Sequence, residues 1–150
     1  MDSALHALAP RAKSRDELLK HLIKRGVELD TANAVLDHLE LQGLLNDLEF
    51  AKLWAQSRQR QKKLSKRVIA GELRTKGVAQ DVIDEVIEEI DDQAEYQLAF
   101  SLAEKKFRSC SHLESEKIYS RVVGVLNRKG FSSSLSTRIV RELLTSHSTN

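Results

Sequence analysis

A phrase of helical spacing that closes on a glycine occurs three times in this chain of 150 residues. It reads Leu18-Leu19-x-x-Leu22-x-x-x-Gly26-Val27, then Ile69-Ala70-x-x-Leu73-x-x-x-Gly77-Val78, then Val122-Val123-x-x-Leu126-x-x-x-Gly130-Phe131. The glycines stand 51 and 53 residues apart. Apolar residues also coincide nine, ten and thirteen positions after each glycine: Val35, Leu36 and Leu39; Val86, Ile87 and Ile90; Ile139, Val140 and Leu143. A helical period held through three copies marks a repeated supersecondary unit, so the chain reads as an array rather than as one core.

Apolar residues at i, i+1 and i+4 place one stripe on a helix. A glycine just past the last turn takes the left-handed conformation that closes it, and the apolar residue that follows folds its contact back onto the helix. A second helix then begins. A third amphipathic stretch, Asp47 to about Gln61, follows Asn46 and Glu49, which have capping-box spacing. Its counterpart in the second copy is Ala94 to Phe107, with Leu98, Ala99, Leu102 and Ala103 on one face. Ser14 with Glu17 makes a further capping box, and Ser65 and Ser132 are placed as N-caps.

These signals predict an all-α fold of eight helices, in which tandem three-helix repeats form an elongated, curved array. The expected divisions are an N-terminal tail over 1–13, repeats over 14–62 and 63–110, an incomplete two-helix repeat over 111–145, and a C-terminal tail over 146–150. One Pro, at position 10, and the lack of two-residue alternation leave no case for strands. With 41% hydrophobic but 5% aromatic residues, each unit has a small aliphatic core.

No apolar run approaches the roughly 20 residues of a membrane span, and the first 13 residues have no uninterrupted hydrophobic segment, which points to the cytoplasm. Catalytic patterns are also missing. His6, His21, His38, His112 and His147 are scattered, Cys110 has no second cysteine to pair with, and neither a phosphate loop nor a nucleophile elbow occurs. The acids from Asp81 to Asp92 alternate with apolar residues at core spacing, as on the outer face of an amphipathic helix, rather than as a metal site. Trp54, beside Phe50 and Ala51, reads as core rather than as a base-stacking platform. No enzyme activity, metal or cofactor is expected.

Charge is segregated along the chain. Arg58 to Lys76 holds eight basic residues against Glu72 alone, and Gln80 to Glu95 holds eight acids with no Lys or Arg. Lys105 to Lys129 is basic again, seven against two. Pairing within a helix at i, i+4 needs interspersed signs, whereas here the signs sit in different helices. Separate surfaces of opposite sign can attract a polyanion on one side and a basic protein surface on another.

Several ordered motifs carry a family resemblance. Gly43-Leu44-Leu45-Asn46-Asp47-x-x-Phe50-Ala51, the basic run, and Glu72-Leu73-Arg74-x-Lys76-Gly77-Val78 resemble the signature of RecX, the bacterial regulator of the RecA recombinase. Ser14-x-x-Glu17-Leu18, Lys24-Arg25-Gly26 and Leu126-x-Arg128-x-Gly130-Phe131 are similar to that family's flanking motifs, so the likeness runs from about Arg11 to Leu144. The family often has glycine in the turn before the second repeat, where this chain reads Lys63-Leu64-Ser65.

The resemblance implies a monomeric regulator that binds the filament RecA forms on single-stranded DNA and mainly lowers ATP hydrolysis, strand exchange and coprotease activity. Single-stranded DNA, with duplex DNA as a further ligand, and the filament are the implied partners. The residues set against filament or DNA are Arg58, Arg60, Lys62, Lys63, Lys66, Arg67, Arg74, Lys76, Arg128 and Lys129; those set against a protein partner are Asp84, Glu88 and Asp92. Two other classes stand beside this reading: an autonomous DNA-binding helical-repeat protein, and a protein-binding helical adaptor.

Overall fold

The structure is a computed structural model that describes residues 13–148. Most of the tail expected over 1–13, with His6 and Pro10, lies outside those residues, as do 149 and 150. Eight α-helices run through the described residues: α1 (Arg15–Lys24), α2 (Leu29–Leu41), α3 (Asp47–Ser57), α4 (Lys66–Thr75), α5 (Gln80–Glu88), α6 (Asp92–Cys110), α7 (Ser115–Arg128) and α8 (Ser133–Ser148). No strand occurs among them. A single π-helical turn, Arg58–Lys62, follows α3.

The three glycine phrases close as their spacing predicts. Gly26, Gly77 and Gly130 have φ of 90°, 78° and 92°. The amide of the next residue reaches back five positions, Val27 to Leu22 O at 3.0 Å, Val78 to Leu73 O at 3.1 Å and Phe131 to Leu126 O at 3.1 Å. That is the Schellman closure, and it ties the repeat's core leucine to the turn that stops its helix. Leu22, Leu73 and Leu126 are 2%, 0% and 0% exposed. Changing Leu73 to Ala is expected to cost about 2–5 kcal/mol in chemical denaturation. A loss well under 1 kcal/mol would place Leu73 outside a packed core.

Helix starts follow the serine and asparagine signals. Ser14 and Glu17 form the reciprocal capping box on α1. Glu49 N donates to Asn46 Oδ1 at 3.1 Å, Val68 N to Ser65 Oγ at 3.3 Å and Leu135 N to Ser132 Oγ at 3.2 Å. Each bond satisfies one of the amides that a helix start leaves without an intrahelical partner.

The described residues fall into two compact units. One holds those up to Ser57 together with Ala70–Glu88; the other holds Arg58–Ile69 and those from Glu89 onward. In the first, α1 packs on α2 through Leu18, Leu22, Ala32, Leu36 and Leu39, and α3 packs on α5. In the second, α6, α7 and α8 share one core: Ala99, Ala103, Phe107 and Cys110 meet Ile118, Val122, Leu126, Ile139 and Val140. The long α6, whose stripe the sequence pattern attaches to the pair before it, therefore packs on the pair after it.

Two boundaries differ from the sequence expectation. α5 stops at Glu88, so Ile90, aligned with Leu39 and Leu143, lies beyond its helix. α8 runs to Ser148 instead of ending before a polar tail at 146. The His147 ring stands edge-on to Phe107 at 5.1 Å, an aromatic contact that holds the last turn down.

Candidate functional site

The basic run does not form one continuous charged face. Its residues divide between those that hold the fold together and those left to solvent. In the first unit, Lys76 donates to Glu17 Oε2 at 3.0 Å and lies 4.7 Å from the centroid of the Trp54 ring. Trp54 itself stacks on Phe50 and donates from its indole nitrogen to Glu72 Oε1 at 3.2 Å. With these contacts the half-buried ring is part of the packing. Arg74 donates to Gln80 Oε1 at 3.0 Å.

In the second unit the segment Arg58–Arg67 meets the end of α7. Ser65 N donates to Lys129 O at 3.0 Å, and Ser65 Oγ to Gly130 O at 2.8 Å. Lys129 Nζ donates to Lys62 O at 3.0 Å, and the Arg67 guanidinium reaches Gly130 O at 3.3 Å. These bonds join stretches more than 60 residues apart in sequence. They bring Arg58, Arg60, Lys62 and Lys63 together with Arg128 in one region. Arg60, Lys62, Lys63 and Arg128 are exposed.

Two backbone features stand in that region. Arg58, Arg60 and Lys62 lie on the π-helical turn, a conformation that is rare and often found at functional sites. Lys63 has φ 55°, the left-handed region that costs an L-residue about 1–2 kcal/mol. It occupies the turn before the second repeat, where the family resemblance implies a glycine. Lys63→Gly relieves that strain while adding chain entropy to the unfolded state, so stability is expected to change by no more than about 1 kcal/mol, toward greater stability. A loss above 1 kcal/mol in urea unfolding would show that the Lys63 side chain itself holds the turn.

Lys66 belongs to the structural group. Its ammonium pairs with Asp92, and its backbone amide donates to Glu95 Oε1 at 2.8 Å. The hydrogen bond that Lys66 donates to Asp92 holds its pKa above the ordinary value. Lys66 and Asp92, set against two different partners by the sequence, thus engage each other. Asp84 accepts from Gln80 at 2.8 Å and Glu88 is exposed; both stand in the first unit, away in the chain from the basic cluster.

A cluster that the charge runs do not reveal surrounds Arg15. Its guanidinium bonds Glu40 at 2.7 Å and Asp37 at 2.9 Å, and its amide donates to Asp47 Oδ1 at 2.8 Å. The Glu40 bond raises the Arg15 pKa, and burial raises that of the half-buried Asp47. The arrangement locks α1 to α2 and to the start of α3. Cys110 is buried, 1% exposed, with its thiol directed to Lys106 O. No described helix is long and apolar enough to cross a membrane.

Helical hairpins closed by Schellman glycines and three-helix packing define a protein of tandem three-helix units. The chain belongs to the RecX family: models of the first, second and third three-helix domains of RecX match residues 1–39, 46–87 and 93–140. Those ranges group α3 with α4 and α5, and α6 with α7 and α8, in line with the shared core of the last three helices.

Among relatives, the chain is 42% identical over 137 residues to the regulatory protein RecX of Mycobacterium avium, covering 91% of this chain and 79% of that protein. It is 36% identical over 140 residues to the regulatory protein RecX of Streptomyces coelicolor, covering 93% and 74%. The crystal structure of RecX from Lactobacillus salivarius superposes with a TM-score of 0.86 over 95% of this chain and 92% of that one, at 22% identity, a likeness of fold.

Proposed function

We propose that this protein regulates the RecA recombinase by binding along the groove of the filament that RecA forms on single-stranded DNA. It acts as a cytoplasmic monomer without a cofactor and mainly lowers ATP hydrolysis, strand exchange and coprotease cleavage. The observation that carries this reading is the convergence of Arg58, Arg60, Lys62 and Lys63 with Arg128 around the Ser65–Gly130 joint. A group of cations, of which Arg60, Lys62, Lys63 and Arg128 are exposed, set beside a hydrogen-bonded joint suits DNA phosphates or an acidic protein face, because its geometry is prepared before binding. Lys66, Arg67, Lys76 and Lys129 support the fold, and Arg74 is bonded to Gln80. Asp84 and Glu88, in the other unit, suit a basic partner surface.

The deciding experiment is ATP hydrolysis by the cognate RecA on single-stranded DNA, titrated with this protein. Inhibition that saturates at a fixed stoichiometry, together with weaker binding to naked DNA than to filaments, is the expected result. Equal affinity for naked DNA and filaments, with a steep salt dependence in both, would move the function to autonomous DNA binding. No effect on hydrolysis and no DNA binding would leave a protein-binding adaptor.

A further inference from the structure

Helix α7 buries Ile118, Val122 and Leu126 and turns Lys117, Arg121, Gly124 and Arg128 to the opposite side. Those four positions are spaced i, i+4, i+7 and i+11, so they form one stripe, about 16 Å long at the helical rise. The three cations are exposed. Glu116, the one acid within the helix, stands about 100° round the axis from Lys117.

Two properties of the stripe weaken the helix that carries it. On other helices exposed cations pair with an acid one turn away: Lys20 with Asp16 at 2.8 Å, Arg108 with Glu104 at 3.1 Å and Arg138 with Glu142 at 3.4 Å. On α7 the position one turn from Lys117 is Arg121, and like charges so placed destabilise a helix. Among the described residues no ion pair engages Lys117, Arg121 or Arg128 to offset this. Gly124 then interrupts the stripe in the helix interior, where only proline holds a helix less well. Among the described residues a Cβ at Gly124 would meet only the end of the Arg128 side chain, at 3.3 Å, so the packing does not require a glycine. A face that merely keeps a protein in solution needs charge, but neither like charges one turn apart nor a gap between them. Local choices that oppose the fold in this way concentrate at functional positions. At its C-terminal end the stripe runs into the basic cluster, since Arg128 adjoins Lys129, whose Nζ donates to Lys62 O at 3.0 Å.

We propose that the outer face of α7 is a track for the phosphate backbone of a single nucleic-acid strand, with Lys117, Arg121 and Arg128 on phosphates and Gly124 admitting the strand close to the helix. Cations in a row suit a polymer that carries a charge at every repeat, and glycine lets a sugar-phosphate backbone approach where a side chain would hold it off. Contacts of this kind fix the register of a strand without reading its bases. The track rests on the reading of the adjoining cluster as a contact surface, and it commits that surface to nucleic acid rather than to an acidic protein face.

The test is binding of a fluorescent oligo-dT to the full chain, followed by anisotropy across a range of salt concentrations. K117Q/R121Q, which loses two exposed ion pairs, is expected to bind about 2- to 30-fold more weakly, with a slope of log affinity against log salt shallower by about 1.4. G124Q leaves the charge unchanged and is expected to bind more weakly as well. Both should melt at or above the temperature of the parent, because each removes a feature that weakens the helix. K24Q/R25Q, the same loss of charge on exposed residues of the other unit, should stay closer to the parent in affinity. No binding of oligo-dT by the parent, unchanged affinity in either α7 variant, a loss in K117Q/R121Q no larger than in K24Q/R25Q, or a lower melting temperature in either α7 variant would overturn the track. RecA-driven ATP hydrolysis, measured in parallel, separates this outcome from failure of the function proposed above. A parent that binds oligo-dT through α7 yet leaves hydrolysis unchanged keeps the track and removes the recombinase. Weaker inhibition by K117Q/R121Q with oligo-dT binding unchanged gives the face to an acidic protein and overturns the track.

Discussion

Reversing Arg60, Lys62, Lys63 and Arg128 to Glu is expected to remove most of the inhibition of RecA-driven ATP hydrolysis while leaving the fold intact. All four side chains are exposed, and substitutions of that kind usually alter stability by about 0.5 kcal/mol or less each. Four exposed ion pairs at about 0.2–1 kcal/mol each put the loss of filament affinity between severalfold and roughly a thousandfold. If all four meet phosphates of single-stranded DNA, the slope of log affinity against log salt should also become shallower by about three. Lys66→Glu serves as the contrast, since it places a third carboxylate beside Asp92 and Glu95 and should lower the melting temperature outright. Should the fourfold variant inhibit as well as the parent, the joint at Ser65 and Gly130 is not the contact surface. Should Lys66→Glu melt like the parent and lose inhibition, Lys66 returns to the contact set.

Local signals were legible in the sequence to the extent that their partners are close in the chain. The Schellman glycines, the buried leucines five residues before the closing amide, and the caps at Ser14, Ser65 and Ser132 all depend on contacts within six residues. Charge runs were a poorer guide. Arg58 to Lys76 counts as one basic stretch in sequence, yet Lys66, Lys76 and Arg67 are each drawn to a partner more than 20 residues away. Which lysine is free depends on where a carboxylate or carbonyl lands in three dimensions, and composition has no access to that. The π-helical turn was likewise hidden, because no residue type specifies it. One signal for the joints did exist: Ser14 and Ser65, both helix caps, stand 51 residues apart, nearly the spacing of Gly77 and Gly130. Paired periodicity of caps and closing glycines would have proposed that each serine meets the glycine of the following copy.

Gly77→Ala is expected to cost about 2–5 kcal/mol, against about 1–2 kcal/mol for Gly26→Ala. The two glycines share the same turn, with φ of 78° and 90°, so the strain of placing an L-residue there is common to both. Their surroundings differ. The Cβ at Gly26 enters open space, whereas at Gly77 it would overlap Asp16 Cβ and Cγ and sit 2.6 Å from Oδ2. Cβ is fixed to the backbone of α1, so rotation of the Asp16 side chain gives no relief and the helix start itself must move. Overpacking of that kind costs about 1–3 kcal/mol, and the movement also strains the bond from the buried Ser14 hydroxyl to Lys76 O. Asp16→Gly in the same chain removes the colliding atoms, so a double-mutant cycle should show Gly77→Ala and Asp16→Gly coupled by 1 kcal/mol or more, and Gly26→Ala uncoupled from Asp16→Gly. Equal costs at the two glycines, with no coupling to Asp16, would mean that the helix start does not press on Gly77 in solution.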